Sequence, residues 1–450
     1  MKWLKVCNRY FLFKTEKSRD NFLIQTLPFR VFVLPSWTSD DDIREWISSQ
    51  SMSIEELQEK SFENFYALDV VVTTKCNFRC IYCYAISSKA NGFYGLKPQD
   101  MDSGIAEQSL LLSMSYFEQE IKKSSKRDAG FDLFITGGEP LLNFDIVAFL
   151  LEKAEEHINR ISAQNRINVK YSPEVATNAS LVTKRIAREL KKHNVQVVVT
   201  VDGPTHNERR PFADGRGSLT QVLQGVERLI HAGNKIKLQA VVPLGDINYL
   251  DSLFSFYERH GLLSEIKRVH VIPQAASILD RYYSRSTNRS DLEEQIYSQY
   301  ANALIRLSED FNLDIKNYHG RLLRSINIGG LAHRCPAGRW KIAVTPEGDL
   351  YPCHQLINIP EFHMGNVTNS DVKQRVDRVA RIFQSRSVFT VTPCENCIFQ
   401  TICIPFVDCP ARCFLETGDL FRVPEHYCKV HRPYMENLLE DFIVNLVESS

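Results

Sequence analysis

The sequence has no excess of charge of either sign: its 450 residues carry 54 Lys+Arg against 54 Asp+Glu. A neutral chain is not a nucleic-acid binder held by its overall field, and with 44% hydrophobic residues it is not a disordered tail. It also lacks any apolar run approaching the ~18 residues of a membrane span. In MKWLKVCNRYFLFKTEK charges interrupt every short apolar stretch, so no signal-peptide core is expected. These absences lead to the expectation of a cytoplasmic protein with neither nucleic acid nor membrane as partner. Residues 84–334 contain no cysteine, which makes the thiols elsewhere conspicuous.

Of the 12 cysteines, Cys7 stands alone, three lie at 76–83 and eight at 335–428. Disulfide frameworks belong to small secreted domains that cannot build a core, whereas this length predicts two or three domains that can. Clustered thiols on short spacings in a reducing compartment point to metal or iron–sulfur ligands. Cys7 reads as a buried core residue.

Three regions follow from the pattern. Residues 1–65 hold two apolar, aromatic segments and then a polar helical stretch, a small α+β extension. From 66 to 320, β-branched runs at 66–74, 131–137, 167–177, 195–203, 235–244 and 266–273 alternate with stretches of helical apolar spacing. Regular β–α alternation predicts an α/β fold with parallel strands and right-handed crossovers, closing into a whole or partial barrel. Over 330–450 the pattern dissolves into Pro, Gly and Cys, as expected where metal sites replace core.

TTKCNFRCIYCYA puts Cys76, Cys80 and Cys83 in a C-x3-C-x2-C spacing directly after the first predicted strand. Three thiolates on a [4Fe–4S] cluster leave one iron without a protein ligand, and chemistry can occur there. Zinc would need a fourth ligand, and the segment has no further Cys or His. The motif falls where barrel enzymes keep their active sites, at the C-terminal end of a strand.

This loop, with Tyr82 before its last Cys and ITGGEPLL after the next strand, resembles the radical SAM superfamily. The resemblance implies a partial (β/α)6 TIM-like barrel in which S-adenosylmethionine chelates the open iron. It assigns the methionine amino end to Gly137, Gly138, Glu139 and Pro140. Glycines permit close backbone approach, and Glu139 can accept from an ammonium group. ATNASLV nominates Asn178 for the ribose pocket, with Ala179 where the family has Gly. VTVDGPTHNERRPF resembles the S-x-D-G…H-D…R stretch, nominating Thr200, Asp202 and Arg210. Residues of the Asn and Asp types also cap turns at strand ends.

The C-terminal third resembles the SPASM extension, a Cys-rich domain that holds up to two auxiliary [4Fe–4S] clusters. CPAGRWKIAVTPEGDLYPC supplies Cys335 and Cys353, CENCIFQTIC supplies Cys394, Cys397 and Cys403, and Cys428 closes the set. Where the family has a C-x3-C after Cys403 this chain has Val407, and the CPAR…TGD text anchors on Cys409, leaving Cys413 as an extra thiol. Family topology assigns Cys394, Cys397, Cys403 and Cys428 to the distal cluster and Cys335, Cys353 and Cys409 to the nearer one. Cys413 either completes the nearer cluster or leaves it with an open iron. Eight cysteines also satisfy two structural zincs, and iron and sulfide content separates the readings.

The resemblance implies that an external donor such as flavodoxin or ferredoxin reduces the first cluster. The electron cleaves S-adenosylmethionine to methionine and a 5′-deoxyadenosyl radical, which takes hydrogen from a peptide or protein substrate. The text LYPCHQL…MGNV looks like maturases that crosslink ribosomally made peptides. His354 follows Cys353 where sulfatase-maturing members have an Asp base, and His can still serve as a base near pH 7. Residues 1–65 could dock a leader peptide by β-augmentation, and a strand pair capping the barrel would look the same. The rivals are a formylglycine-generating sulfatase maturase and a non-catalytic metal-binding scaffold.

Overall fold

The computed structural model describes residues 2–7, 10–14, 21–26, 29–34, 64–83, 95–243, 248–273, 335–403 and 409–425, together with single positions at 39–45, 85, 303–315, 333 and 428–439. Cys7 ends a described strand, but its side chain lies outside the described residues.

Each apolar N-terminal segment folds as a pair of strands. β1 (Lys2–Cys7), β2 (Tyr10–Lys14), β3 (Asn21–Thr26) and β4 (Phe29–Leu34) form an antiparallel sheet in chain order. Period-two alternation gives it two apolar faces. Tyr10 and Leu23 pack on Ile43, while Phe11, Phe22 and Ile24 face the C-terminal cysteines.

The main sheet bears out the α/β expectation. β5 (Phe65–Val71), β6 (Asp128–Thr136), β7 (Asn168–Thr177), β8 (Gln196–Thr200), β9 (Lys235–Val242) and β10 (Arg268–Pro273) correspond to the six predicted strands. They run parallel in that order. The connections contain α1 (Ser103–Lys123), α2 (Phe144–Asn165), α3 (Lys184–Lys192), α4 (Leu219–His231) and α5 (Asn248–Arg259). α1 begins where the Asp102 carboxylate accepts from the Ile105 amide at 2.8 Å, and its last turn carries Lys122 and Lys123 against the helix dipole. On β6, Phe131, Leu133 and Ile135 are buried under the helices, whereas Asp132 and Phe134 are half-buried on the opposite, inner face.

The sheet does not stop at the barrel strands. A two-residue β11 (Asp314–Ile315) pairs with β10 at one edge. At the other, β12 (Lys341–Val344) adds to β5 in parallel and folds back as an antiparallel hairpin with β13 (Leu350–Tyr351). The Cys-rich region thus begins as two more strands of the barrel's own sheet. It continues through α6 (Val372–Gln384) and α7 (Pro410–Thr417). No helix among the described residues is long and apolar enough to cross a membrane.

Candidate active site

The cysteine loop leaves β5 and is fastened on three sides. The Thr73 hydroxyl donates to Asp100 at 2.6 Å, and Lys75 pairs with the same carboxylate at 2.7 Å. The Arg79 and Ile81 amides donate to the Pro211 and Arg209 carbonyls at 2.9 and 3.0 Å, and Phe78 meets Phe212 edge to face. Asn77 accepts from the Asn178 amide at 2.8 Å and donates to the Ser180 hydroxyl at 3.0 Å. The loop therefore takes its shape from the ends of β5, β7 and β8.

Within it the thiols of Cys76, Cys80 and Cys83 are half-buried and close together, Cys80 and Cys83 raising the pKa of Cys76 and Cys83 that of Cys80. Burial, the largest cause, pushes Cys76 up to about 12 and raises Cys80 as well. A ligating thiol must be deprotonated, so a group that absorbs negative charge belongs beside them.

GGEP presses against the base of this loop. A Cβ on Gly138 would lie 2.2 Å from the Lys75 carbonyl oxygen and 2.9 Å from Cys76 Cβ, and one on Gly137 would lie 2.6 Å from the Thr73 carbonyl oxygen. Glycine is required here for the approach of one strand end to the next. Pro140 opens a single 3-10 turn, where its missing N–H costs nothing. Glu139 is buried and accepts from the Leu141 amide at 3.1 Å, the Thr177 hydroxyl at 2.6 Å and the Asn178 amide at 2.7 Å. Those donors fill three of its about four acceptor sites, so one is left for an outside partner. Burial raises its pKa against these hydrogen bonds.

Asn178 does cap its turn: its side-chain oxygen accepts from the Ser180 amide and hydroxyl at 2.9 and 2.7 Å. It also ties β7 to the cysteine loop through Asn77. Ala179, where the family has Gly, keeps the left-handed backbone with φ +62°.

Asp202 anchors a buried network that sequence reasoning named only in part. Its carboxylate accepts from the Tyr82 hydroxyl and from the Val241 amide at 3.0 Å, and Arg209 Nε lies 3.5 Å away. Arg210 donates to the Tyr82 hydroxyl at 2.8 Å. The Asp202 amide donates to His206 Nδ1 at 3.1 Å, while burial holds His206 near a pKa of about 3, so the neutral ring carries its proton on Nε2. Tyr249 donates to the Asp202 carbonyl. Thr200 sits apart, accepting from Gln239 at 3.4 Å.

Arg210 Nε and His206 Nε2 are buried donors without a partner. Orphaned donors of that kind are rare and call for an acceptor. Arg210 also lowers the Cys80 pKa, so its guanidinium faces the thiol set. Three neighbouring thiols, a glycine cradle and an unpartnered guanidinium donor fit an iron–sulfur group with a carboxylate-bearing ligand on its open iron.

The C-terminal cysteines divide into two neighbourhoods. Buried Cys353 is coupled to Cys335 and Cys409, and all three pack with the barrel core. Cys394, Cys397, Cys403 and Cys428 lie in a second core with the N-terminal sheet, and Cys428 is coupled to Cys397, burial pushing it up to about 11. Cys413 is fully buried in that second core, 3.5 Å from Arg386 Nη2. His354 meets β5 and β6, its Nδ1 2.6 Å from Asp69 Oδ2 and its ring 5.5 Å from that of Phe134. Lys341 meets the same Asp69 oxygen at 2.8 Å. Burial alone would raise Asp69, yet Lys341 and His354 hold it down at about 2. Sequence reasoning missed Asp69 and Lys341, although a lone charge within an apolar strand, FYALDVV or KIAV, is itself a signal.

Comparison with known proteins agrees with this geometry. Residues 70–248 match the family model "Radical SAM superfamily". The chain is 21% identical to the radical SAM cyclopropyl synthase TigE of Paramaledivibacter caminithermalis over 84% of this chain and 75% of that protein. It is 21% identical to the cysteine-type anaerobic sulfatase-maturating enzyme of Clostridium novyi over 74% of this chain and 84% of that one. The solved structure of native anSMEcpe with bound AdoMet and the Cp18Cys peptide superposes with a TM-score of 0.60 at 17% identity, covering 85% of this chain and 99% of the other. From the loop, the sheet and these relatives it follows that residues 70–248 form a radical SAM domain, in a chain whose relatives are radical SAM enzymes of the SPASM type.

Proposed function

We propose that this enzyme modifies a peptide or protein substrate in the cytoplasm, forming a crosslink, with electrons from a flavodoxin- or ferredoxin-type donor. The carrying observation is the meeting of Cys76, Cys80 and Cys83 with the unpartnered, buried Nε of Arg210. In this reading the three cysteines hold the [4Fe–4S] cluster and Arg210 receives the carboxylate of S-adenosylmethionine. The one open acceptor site of Glu139 receives its ammonium. When bound, the cluster and S-adenosylmethionine supply a 5′-deoxyadenosyl radical that removes hydrogen from a substrate carbon.

The chain's own residues do the rest. Tyr82 holds the Arg210 guanidinium and is itself held by Asp202, so the Arg210 donors are oriented before the ligand arrives. The inner faces of β6, β7 and β9 offer Asp132 and the Glu174–Lys237 pair, at 2.7 Å, to orient a polar substrate segment. Cys335, Cys353 and Cys409 hold one auxiliary group and Cys394, Cys397, Cys403 and Cys428 the other. His354 takes a substrate proton, its ring aimed by Asp69. Residues 1–65 dock the substrate's leader, with β4, the last strand of its sheet, as the edge that accepts an added strand.

Reconstituted, reduced protein incubated with S-adenosylmethionine tests the reading: release of 5′-deoxyadenosine supports it, and binding without cleavage overturns it. Sulfatase maturation is favoured by the 21% identity to the Clostridium novyi enzyme, and crosslinking by His354 in the position where the resemblance puts an Asp. Neighbouring reading frames separate them, a short Cys-rich or repeat-bearing peptide supporting the crosslink and a sulfatase supporting its rival.

A further inference from the structure

Lys341 is the one lysine of β12, and it stands opposite a cysteine. The hairpin register pairs Ala343 with Tyr351 and Val344 with Leu350, and two more residues along that register Lys341 faces Cys353. On its other side β12 runs parallel to β5, which brings Nζ within 2.8 Å of Asp69 Oδ2. The ammonium is thus held between a barrel carboxylate and the Cys335–Cys353 pair, with which it interacts electrostatically. A buried ion pair adds little stability over an apolar pair of the same volume, so its position against thiols asks for another role.

We propose that Lys341 sets the reduction potential of the iron–sulfur group held by Cys335, Cys353 and Cys409, its fixed positive charge stabilising the added electron and Asp69 moderating that charge. The inference rests on the reading that these three cysteines ligate a cluster. Net charge and hydrogen bonds around a cluster are what set its potential, and a buried charge is screened far less than a surface one. The two partners carry opposite charges, so removing each must move the potential in opposite directions. A residue that only shaped the fold would show no such sign reversal.

The test is a potentiometric titration with dithionite, followed by electron paramagnetic resonance. It uses the full chain reconstituted with iron and sulfide in the Cys76/Cys80/Cys83→Ala background, which removes the first cluster's signal. The group's signal is the one missing from Cys353→Ser. Lys341→Gln should lower its reduced-to-oxidised ratio about ten-fold at fixed poise, a shift of about 59 mV for one electron. Asp69→Asn should shift it the other way, Lys341→Arg should restore the parent value, and the distal signal should stay put. An unchanged midpoint in Lys341→Gln, or shifts of the same sign in both variants, overturns the inference. If Lys341→Gln does not fold, the sign for Asp69→Asn decides, an upward shift supporting the inference and any other result overturning it. A Cys353→Ser protein with the parent's iron count and every signal overturns instead the ligand reading, and the inference with it.

Discussion

The two ends of the cysteine inventory sit in opposite surroundings. Around Cys76, Cys80 and Cys83 stand Glu139, Asp202, Arg210 and His206, buried polar groups of which two retain an unpartnered donor. Around Cys394, Cys397, Cys403 and Cys428 stand Phe11, Phe22, Ile24, Ile398 and Phe399, all apolar and nearly inaccessible. A site that exchanges a charged ligand needs polar groups aimed at the ligand, and they cost desolvation while it is away. A group held by four thiolates has no exchange to perform, and apolar walls keep water and oxidants from it. The contrast assigns chemistry to the first region and electron holding or structure to the second.

The sharpest way to break this comparison is to remove the first region's thiols. Cys76/Cys80/Cys83→Ala should abolish release of 5′-deoxyadenosine while iron remains bound to the C-terminal cysteines. Loss of all iron would mean that the regions are not independent. Next in size is a comparison within the C-terminal set. Cys409→Ala should lose about four irons, whereas Cys413→Ala, which alters a thiol in the second core, should leave the count nearly intact. Equal iron loss would make Cys413 a ligand, of the distal group in whose core it lies.

Three smaller effects sharpen the contrast through packing. Gly138→Ala drives a Cβ to 2.2 Å from a backbone oxygen that cannot swing aside, and should destabilise by about 3 kcal/mol or more in a thermal melt. Phe22→Ala removes a fully buried ring from the second core and should cost about 3 kcal/mol. Its readout is selective: faster air bleaching of the distal group, with 5′-deoxyadenosine release retained. Tyr82→Phe leaves the buried Asp202 carboxylate and Arg210 one partner short each, for about 1–3 kcal/mol and weaker S-adenosylmethionine binding by calorimetry. Unchanged binding would remove Tyr82 from the ligand's support.

The barrel was legible because each of its strands is a short apolar run flanked by helices of regular spacing, a local pattern. The N-terminal segments were legible as apolar, but not their division into four strands, because Asn8-Arg9 and Leu27-Pro28 offer no Asn-Gly or Gly signal in the sequence. Cys76, Cys80 and Cys83 could be read off because a ligand loop is contiguous, and GGEP because its glycines are intolerant of any side chain. By itself, then, the sequence determined the strand order of the barrel, the loop that carries the thiols and the division of cysteines along the chain. Tertiary structure alone decided that β12 would join β5 and bring Lys341 and His354 to Asp69, and that Cys413 would lie with the distal thiols. The meetings at Asp69 join residues some 270 or more positions apart through sheet register, and the place of Cys413 follows from core packing, quantities fixed by the whole chain and by no window of it.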